Sequence, residues 1–237
     1  MEPRHLSKKF ITAGCSFSDY AEVKKNYSEY LAEKLGIEYV PGYTSGCGSN
    51  YRMWRKLLSG IRNKEITSKD LLVVQYTEPT RKEIWSRHME YINFDQTEKG
   101  SPMREPYSSG QLIKFKVNPP GYQFKEEQTL FRLLEENFTD PEYDMELFQN
   151  YHFAFLNTLE RYQIKTVFLK TIYCYNIPLY ESSYSTCLDI RNNIENFQIF
   201  PSDQYCLSED DCSHLSDKGH RKVADLIYKH LQDRFDL

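Results

Sequence analysis

The chain has 237 residues, of which 40% are hydrophobic and 27% are charged, a composition typical of a folded globular protein with one sizeable core. The formal net charge is −4, and the 30 basic residues are scattered among 34 acidic ones, which argues against the clustered basic face of a nucleic-acid-binding protein. The mean hydropathy is −0.68 and no apolar run approaches the roughly 20 residues of a membrane span, so no membrane partner is expected.

The N-terminus and the cysteines indicate the compartment. Residues 1–9 are polar and lack the apolar stretch of a secretory signal. The cysteines show neither the spacing of a disulfide scaffold nor the C-x(2–4)-C spacing of structural zinc: they are Cys15, Cys47, Cys174, Cys187, Cys206 and Cys212. We therefore expect free thiols in a reducing, cytoplasmic compartment, with no metal site and no cofactor.

The first predicted elements are a strand and a helix. Residues 10–13 form a short buried strand that ends at Gly14. Asn26 and Glu29 have the spacing of a capping box, and Gly36 ends the helix that follows. The apolar residues of this helix recur on one face, at Tyr27, Leu31 and Leu35.

A second strand, a glycine-rich loop and a second helix come next. Residues 37–40 are the strand, and Pro41-Gly42 is expected to end it. The loop spans residues 45–49, and the helix after it is predicted to present Tyr51, Trp54, Leu58 and Ile61 on one face. The continuous apolar run at 70–76 is typical of a strand buried on both faces of a parallel sheet.

The C-terminal half continues the alternation of helices and strands. A long amphipathic helix is indicated by Phe148, Tyr151, Phe155, Leu159 and Tyr162. Residues 166–172 form the next buried strand. The last helix starts after Ser216-Asp217 and buries Val223, Ala224, Ile227 and Leu231. Alternating strands and helices predict an α/β fold whose parallel sheet is covered on both faces, in a single domain over residues 1–237.

Residues 86–142 interrupt this alternation and are predicted to be an insertion. The segment is polar and aromatic, with turn signals at 100–102, 108–110 and 119–121. Residues 111–117 alternate like a strand and are expected to pair with residues 122–124. A segment of this length is either a lid or substrate-specificity segment or a surface decoration, and both interpretations stay open.

Two segments contain residues suited to nucleophilic catalysis. Ser16 follows the first strand, and ligands of open α/β sheets bind outside the carboxyl ends of the strands. Asp211 precedes His214 by three residues, just before the last helix. A carboxylate at this spacing can orient the imidazole through Nδ1 and leave Nε2 free to accept a proton from a serine hydroxyl.

These two segments resemble the SGNH (GDSL-like) hydrolases. The sequence Gly14-Cys15-Ser16-Phe17-Ser18 is similar to the Gly-Asp-Ser block of that superfamily, and residues 211–216 (DCSHLS) are similar to its Asp-x-x-His block. The resemblance covers nearly the whole chain in order, apart from 86–142. It implies a three-layer α/β/α sandwich with a mainly parallel, flavodoxin-like sheet. It also implies a catalytic triad in which Ser16 attacks an ester carbonyl, His214 transfers the proton and Asp211 orients His214.

The resemblance also indicates where the oxyanion would bind. Residues 46–50 look like the loop that supplies the family's oxyanion glycine, and backbone N–H groups near Gly46 and Gly48 precede a helix N-terminus. The family's third block often contains an asparagine after a strand, whereas this chain has residues 75–81 (QYTEPTR). Thr77 from that segment and Asn50 from the neighbouring loop are therefore the two candidates for the missing donor.

Three further residues have a structural interpretation, and for two of them a functional interpretation stays open as well. Glu78 and Arg81 form either a structural ion pair at a strand end or a substrate clamp, since a guanidinium can bind a carboxylate or phosphate through two hydrogen bonds. His220 is predicted to be a packed core histidine because it lies on the apolar face of the last helix.

The predicted function is that of a serine esterase. The resemblance suggests a small O-acyl substrate, such as an O-acetyl ester on a carbohydrate, with the aromatic side chains of Tyr76, Trp85 and Tyr91 available to stack on sugar rings. An O-acyltransferase using the same acyl-enzyme is one alternative. A non-catalytic binding or assembly module that retains the fold is the other, and the absent third-block asparagine motivates it.

Overall fold

A computed structural model gives the architecture of the chain. It describes residues 9–14, 18, 24–44, 50–77, 79, 82–85, 110–113, 141–171, 179–190 and 215–235. In chain order the strands are β1 (Lys9–Gly14), β2 (Glu38–Thr44), β3 (Leu71–Gln75), β4 (Lys82–Trp85), β5 (Gly110–Ile113), β6 (Lys165–Lys170) and β7 (Ser185–Asp189). The helices are α1 (Tyr27–Leu35), α2 (Asn50–Arg62), α3 (Pro141–Tyr162) and α4 (Asp217–Phe235).

Five of the described strands form one parallel sheet in the order β2-β1-β3-β6-β7. The chain moves from β1 outward to β2 and then returns to the other side of β1 as β3. This reversal opens a crevice at the carboxyl ends of β1 and β3, where open α/β sheets bind their ligands. The order is that of flavodoxin-like sheets, so the predicted sheet is confirmed.

Helices cover both faces of this sheet. Alternate strand residues point to opposite faces, so Phe10, Leu71 and Val167 pack with α1 and α4 on one side. Their neighbours Ile11 and Leu72 pack with α2 and α3 on the other side. The result is the predicted α/β/α sandwich, with a hydrophobic core on each face of the sheet.

The first βα unit follows the sequence signals closely. The Asn26 side chain accepts a hydrogen bond from the backbone N of Glu29, and the Glu29 carboxylate accepts one from the backbone N of Asn26, which forms the predicted capping box. Gly36 ends α1 with φ 66°, a left-handed conformation that favours glycine. At the other end of the chain, the Ser216 hydroxyl accepts from the backbone N of Gly219 and caps α4.

β2 is longer than the sequence suggests. We expected Pro41-Gly42 to end the strand, but β2 continues to Thr44. The register slips by one residue there, because Ile11 pairs with Val40 and Ala13 with Tyr43. β2 lies at the edge of the sheet, where a proline and a bulge are tolerated.

The second described sheet has two strands. β5 overlaps the strand predicted at 111–117 and pairs antiparallel with β4. The partner expected at 122–124 lies outside the described residues, so that pairing stays a prediction. Pro141 and Glu142, the last residues of the predicted insertion, belong to α3. The rest of the insertion, except β5, lies outside the described residues, and whether 86–142 is a lid or a decoration stays a prediction.

Candidate active site

The strand ends that border the crevice carry polar side chains. Gly14, Gln75 and Lys170 are the last residues of β1, β3 and β6, which are neighbours in the sheet. Gln75 and the residue after β6, Thr171, are both buried. Buried polar groups need hydrogen-bond partners, and their partners identify which segments meet at this edge.

Ser18 lies at the centre of a buried hydrogen-bonded chain at the end of β1. Its Oγ is 3.1 Å from Oε1 of Gln75 and 2.8 Å from the hydroxyl of Tyr27. The Gln75 amide is oriented by its Nε2, which donates to the carbonyl oxygen of Tyr76. Because Oε1 can only accept, the Ser18 hydroxyl donates to it, and the Tyr27 hydroxyl therefore donates to Ser18 Oγ.

Gly14 lets the side chain of Ser18 approach the end of β1. A Cβ atom placed on Gly14 would lie 2.4 Å from Oγ of Ser18 and 2.8 Å from Oε1 of Gln75. No side chain fits there without displacing these atoms. The chain therefore leaves β1 at Gly14 and returns to contact it at Ser18, with Ser16 at the middle of that five-residue stretch of sequence.

Tyr27 also connects the start of α1 to α4. Its backbone N donates to Nδ1 of His220 at 3.1 Å, and its ring stacks on the imidazole with centroids 6.1 Å apart. The first N–H groups of a helix lack partners within the helix, and His220 satisfies one of them. His220 is fully buried, which confirms the predicted core histidine and adds this capping contact.

A second contact joins the same two helices at their N-terminal ends. The backbone N of Lys24 donates to Oδ1 of Asp217 at 3.2 Å, although the two residues are 193 positions apart. Lys24 follows the stretch that contains Ser16, and Asp217 follows the stretch that contains Asp211 and His214. The described chain that follows each of the two predicted catalytic segments is therefore in direct contact with the other.

Asn50 binds the backbone of Thr77 through both atoms of its side-chain amide. Nδ2 donates to the carbonyl oxygen of Thr77, and Oδ1 accepts from its backbone N, each at 2.9 Å. Both residues are buried. The start of α2 and the chain after β3 are thus joined beside the crevice, and the two candidates for the third-block donor lie together.

A buried histidine stabilises the end of β3 from the opposite face of the sheet. Nδ1 of His152 lies 2.9 Å from the hydroxyl of Tyr76, which also accepts from Nε1 of Trp54 at 3.2 Å. The backbone N of Tyr180 donates to Nε2 of His152, so we assign the ring hydrogen to Nδ1. Burial lowers the pKa of His152 to about 4, and its ring is neutral at pH 7.

The side chain of Tyr76 corrects one sequence prediction. We expected it to stack on a sugar ring, but it is fully buried among Trp54, Phe148 and Phe168. Tyr76 ends the apolar run at 70–76 that predicts a strand buried on both faces, and its burial agrees with that prediction instead of with a role in stacking. The backbone of Trp85 lies in β4, and Tyr91 lies outside the described residues.

Most of the predicted site residues lie outside the described residues. These are Ser16, Gly46, Gly48, Glu78, Arg81, Asp211 and His214. Asn50 and Thr77 are described, and the structure brings them together. Within the described part of the chain, no three His, Cys, Asp or Glu side chains cluster as a metal site would require, and no helix is long and apolar enough to cross a membrane.

The sequence analysis missed the supporting roles of Ser18, Gln75 and Tyr27. Ser18 was recognised only as part of a motif, and Gln75 only as the end of an apolar run. One signal could have identified them. A polar residue that ends a fully buried strand must find a buried partner, and Ser18 follows the end of β1, the strand that lies beside β3 in the sheet.

No protein-family model matches the sequence, and no curated protein sequence matches it either. Solved structures do match. A catalytic mutant of an acetylxylan esterase from Geobacillus stearothermophilus has a TM-score of 0.52 at 10% identity, over 95% of this chain and 94% of that one. A psychrotrophic esterase from Pseudoalteromonas sp., inhibited by monoethylphosphonate, has a TM-score of 0.51 at 9% identity, over 97% and 100%.

A G-D-S-L family protein from Desulfitobacterium hafniense matches at a TM-score of 0.51 and 10% identity, over 94% of this chain and 98% of that one. The likeness extends over nearly the whole length of each protein, and it includes the parallel sheet and the helices on both of its faces. The chain has the fold of the SGNH (GDSL-like) hydrolases.

Proposed function

We propose that the protein is a serine esterase that cleaves a small O-acyl ester through a covalent acyl-enzyme. Ser16 attacks the carbonyl carbon, and His214 accepts the hydroxyl proton and returns it to the leaving alcohol. Asp211 orients His214 through Nδ1. Water then attacks the acyl-enzyme with His214 as its general base, which releases the acid and regenerates Ser16.

The contact between Lys24 and Asp217 is the observation that carries this proposal. Each of these residues continues the chain from one of the two catalytic blocks, and their atoms are 3.2 Å apart. Three residues of chain span at most about 11 Å. His214 is three positions before Asp217, and Ser18, two positions after Ser16, contacts Tyr27 at the start of α1, so the two contacts together favour the convergence of the two blocks that the triad requires.

The proposed oxyanion site is the loop before α2. Backbone N–H groups near Gly46 and Gly48 precede the N-terminus of that helix, where the helix dipole favours developing negative charge. The amide of Asn50 engages the backbone of Thr77. We assign Asn50 the role of fixing this loop against the end of β3.

The proposed substrate is a small ester, such as an O-acetyl group on a carbohydrate. Two structural neighbours are esterases, and one of them is named for acetylated xylan. The 86–142 segment is the proposed determinant of the alcohol moiety. The same acyl-enzyme can transfer its acyl group to a sugar hydroxyl instead of water, and an assay that compares free acid with acylated acceptor separates an esterase from an acyltransferase.

A reducing, cytoplasmic location belongs to the same proposal. Its support is the cysteine spacing and the free thiol of Cys187. Counting the cysteines that react with a thiol reagent after unfolding without a reductant tests it, since all six react only when no disulfide is present.

Labelling with a fluorophosphonate tests the nucleophile. The wild-type protein should be labelled and Ser16→Ala should not, because the probe reacts with an activated serine hydroxyl. Ser183→Ala is the matched control, because Ser183 is exposed and is distant in sequence from both catalytic blocks. An unlabelled wild-type protein, or a labelled Ser16→Ala variant, would contradict the esterase and favour a binding module.

The pH dependence of acylation tests the base. A free imidazole titrates near pH 6–7, and only its neutral form accepts the serine proton. The acylation rate should therefore fall as the pH decreases through this range. A flat profile between pH 5 and 8 would exclude His214 as the base.

A further inference from the structure

Tyr27 contacts one residue downstream of the proposed nucleophile and one downstream of the proposed histidine, through two different atoms. Its hydroxyl lies 2.8 Å from Oγ of Ser18, two residues after the proposed nucleophile. Its backbone N lies 3.1 Å from Nδ1 of His220, in the helix that follows the proposed histidine and aspartate. Tyr27, Ser18 and His220 are all fully buried, so water does not compete for these hydrogen bonds.

The directions of the hydrogen bonds show which hydroxyl is the donor in each contact. The single proton of Ser18 is donated to Oε1 of Gln75, so the hydroxyl of Tyr27 is the donor that fills a lone pair of Ser18. Removing the Tyr27 hydroxyl therefore leaves Ser18 bound to β3 but no longer bound to α1.

The packing at Gly14 shows how little room this arrangement has. Ser18 Oγ already occupies the space that a Cβ atom on Gly14 would need. When the hydrogen bond to Tyr27 is lost, the side chain of Ser18 can move toward the vacated hydroxyl position and the turn can follow. A displacement of about 1 Å at a nucleophile can reduce a rate about 100-fold, because attack needs the reacting atoms about 3–3.5 Å apart with their orbitals aligned.

We propose that Tyr27 is a positioning residue of the esterase proposed above, on which this inference rests: its hydroxyl fixes the turn that carries Ser16 relative to α4. The residue does not touch substrate. It acts through Ser18, and its backbone contact with His220 sets the distance between the turn and the start of α4.

Tyr27→Phe tests this role because it removes only the hydroxyl. With p-nitrophenyl acetate as the probe ester, we expect kcat to fall at least ten-fold and KM to change less than two-fold, since the loss affects attack and not binding. Fluorophosphonate labelling should slow by the same factor. Tyr30→Phe is the matched control on the same helix. Its ring contacts Lys25 and Arg221, and both constants should be unchanged.

A destabilising control separates positioning from general loss of stability. Trp54→Phe removes the Nε1 donor to Tyr76 in the core on the other face of the sheet. This variant should lower the urea midpoint and leave kcat within two-fold of wild type. Equal losses of kcat in Trp54→Phe and Tyr27→Phe at equal midpoints would overturn the inference.

A double-mutant cycle tests whether Tyr27 acts through Ser18. Ser18→Ala removes the same hydrogen bond from its other end, so the double variant Tyr27→Phe, Ser18→Ala should have the kcat of Ser18→Ala alone, within two-fold. Multiplied losses, or wild-type kcat in Tyr27→Phe, would contradict the inference while leaving the esterase intact. Labelling of Ser16→Ala would instead refute the esterase itself, and the positioning role with it.

Discussion

Asn50 and Thr77 are joined by two hydrogen bonds of 2.9 Å that make the side-chain amide of one residue the partner of the backbone of the other. The side-chain amide of Asn50 thus makes the pair of hydrogen bonds that the backbone of a neighbouring strand would make. It satisfies an N–H and a C=O of Thr77 at the point where the chain leaves β3. These two bonds hold the start of α2 against the chain that follows β3.

Replacing Asn50 with alanine should destabilise the protein substantially. The substitution leaves the buried N–H and C=O of Thr77 without these partners, and each unsatisfied group costs about 1–3 kcal/mol. We expect the free energy of unfolding to fall by roughly 2–4 kcal/mol in urea titrations. Asn63→Ala is the control, because Asn63 is exposed and its amide makes one long contact with Glu65. Similar losses in the two variants would contradict the role given to Asn50.

Gly14→Ala and Gly60→Ala form a pair that separates the turn after β1 from the rest of the core. In both, an added Cβ meets atoms closer than 3.0 Å: Ser18 and Gln75 for Gly14, Tyr43 and Ile66 for Gly60. Overpacking of this kind typically costs about 1–3 kcal/mol, so both variants should unfold at lower urea. Only Gly14→Ala should also lose fluorophosphonate labelling, because only it displaces Ser18. Equal labelling of the two would show that the turn tolerates displacement.

Local signals predicted the elements that depend on neighbouring residues. The capping box of Asn26 and Glu29 and the stop at Gly36 involve residues within one or two helical turns, and both features are confirmed. The buried face of α2 was only partly right: Trp54 and Ile61 are buried, but Leu57 lies in the core and Leu58 is 38% exposed. Neighbouring leucines on a helix look alike in sequence, and the tertiary partner decides which one is buried.

The sequence analysis did not predict β7, because the interactions that stabilise this strand come from other parts of the chain. Residues 185–189 (STCLD) form no apolar run, and the strand is stabilised by pairing with β6 and by side chains from elsewhere. The backbone N of Cys187 and the hydroxyl of Thr186 both donate to Glu181, which Arg234 of α4 also contacts. The same limit applies to the candidate site, where Ser18–Gln75 and Asn50–Thr77 join residues far apart in the sequence.

Cys187 should be a slowly reacting thiol in the folded protein. Burial, with a further contribution from the nearby Glu181 carboxylate, raises the pKa of its thiol from 9.0 to about 12. The reactive thiolate is then about 1,000-fold rarer at pH 8 than in the unfolded chain, since each pH unit is a factor of ten. Alkylation with iodoacetamide, followed by peptide mapping, should show slow modification of Cys187 in the folded protein. Modification should be rapid in about 8 M urea, which unfolds the chain. Comparable rates in the two conditions would contradict the raised pKa.

His152 should make the protein sensitive to acid. Burial lowers its pKa from 6.5 to about 4 in the folded state. As the pH falls below 6.5, the unfolded chain binds a proton that the folded protein does not, so stability decreases until the pH reaches about 4. The difference between the unfolded and folded pKa values corresponds to about 3 kcal/mol of unfolding free energy. This stabilisation is fully present above pH 6.5.

His152→Asn isolates this contribution. An asparagine amide can donate to the hydroxyl of Tyr76 as Nδ1 does now, and it does not titrate. The variant should be less stable than wild type at pH 7, because it loses the contacts of the ring with Tyr76 and Phe168. The difference in unfolding free energy between the two proteins should then shrink by about 3 kcal/mol between pH 7 and pH 4, since only wild type takes up the proton on unfolding. A difference that stays constant over this range would show that His152 does not control the acid sensitivity, whereas a shrinking one would assign that sensitivity to the buried imidazole of His152.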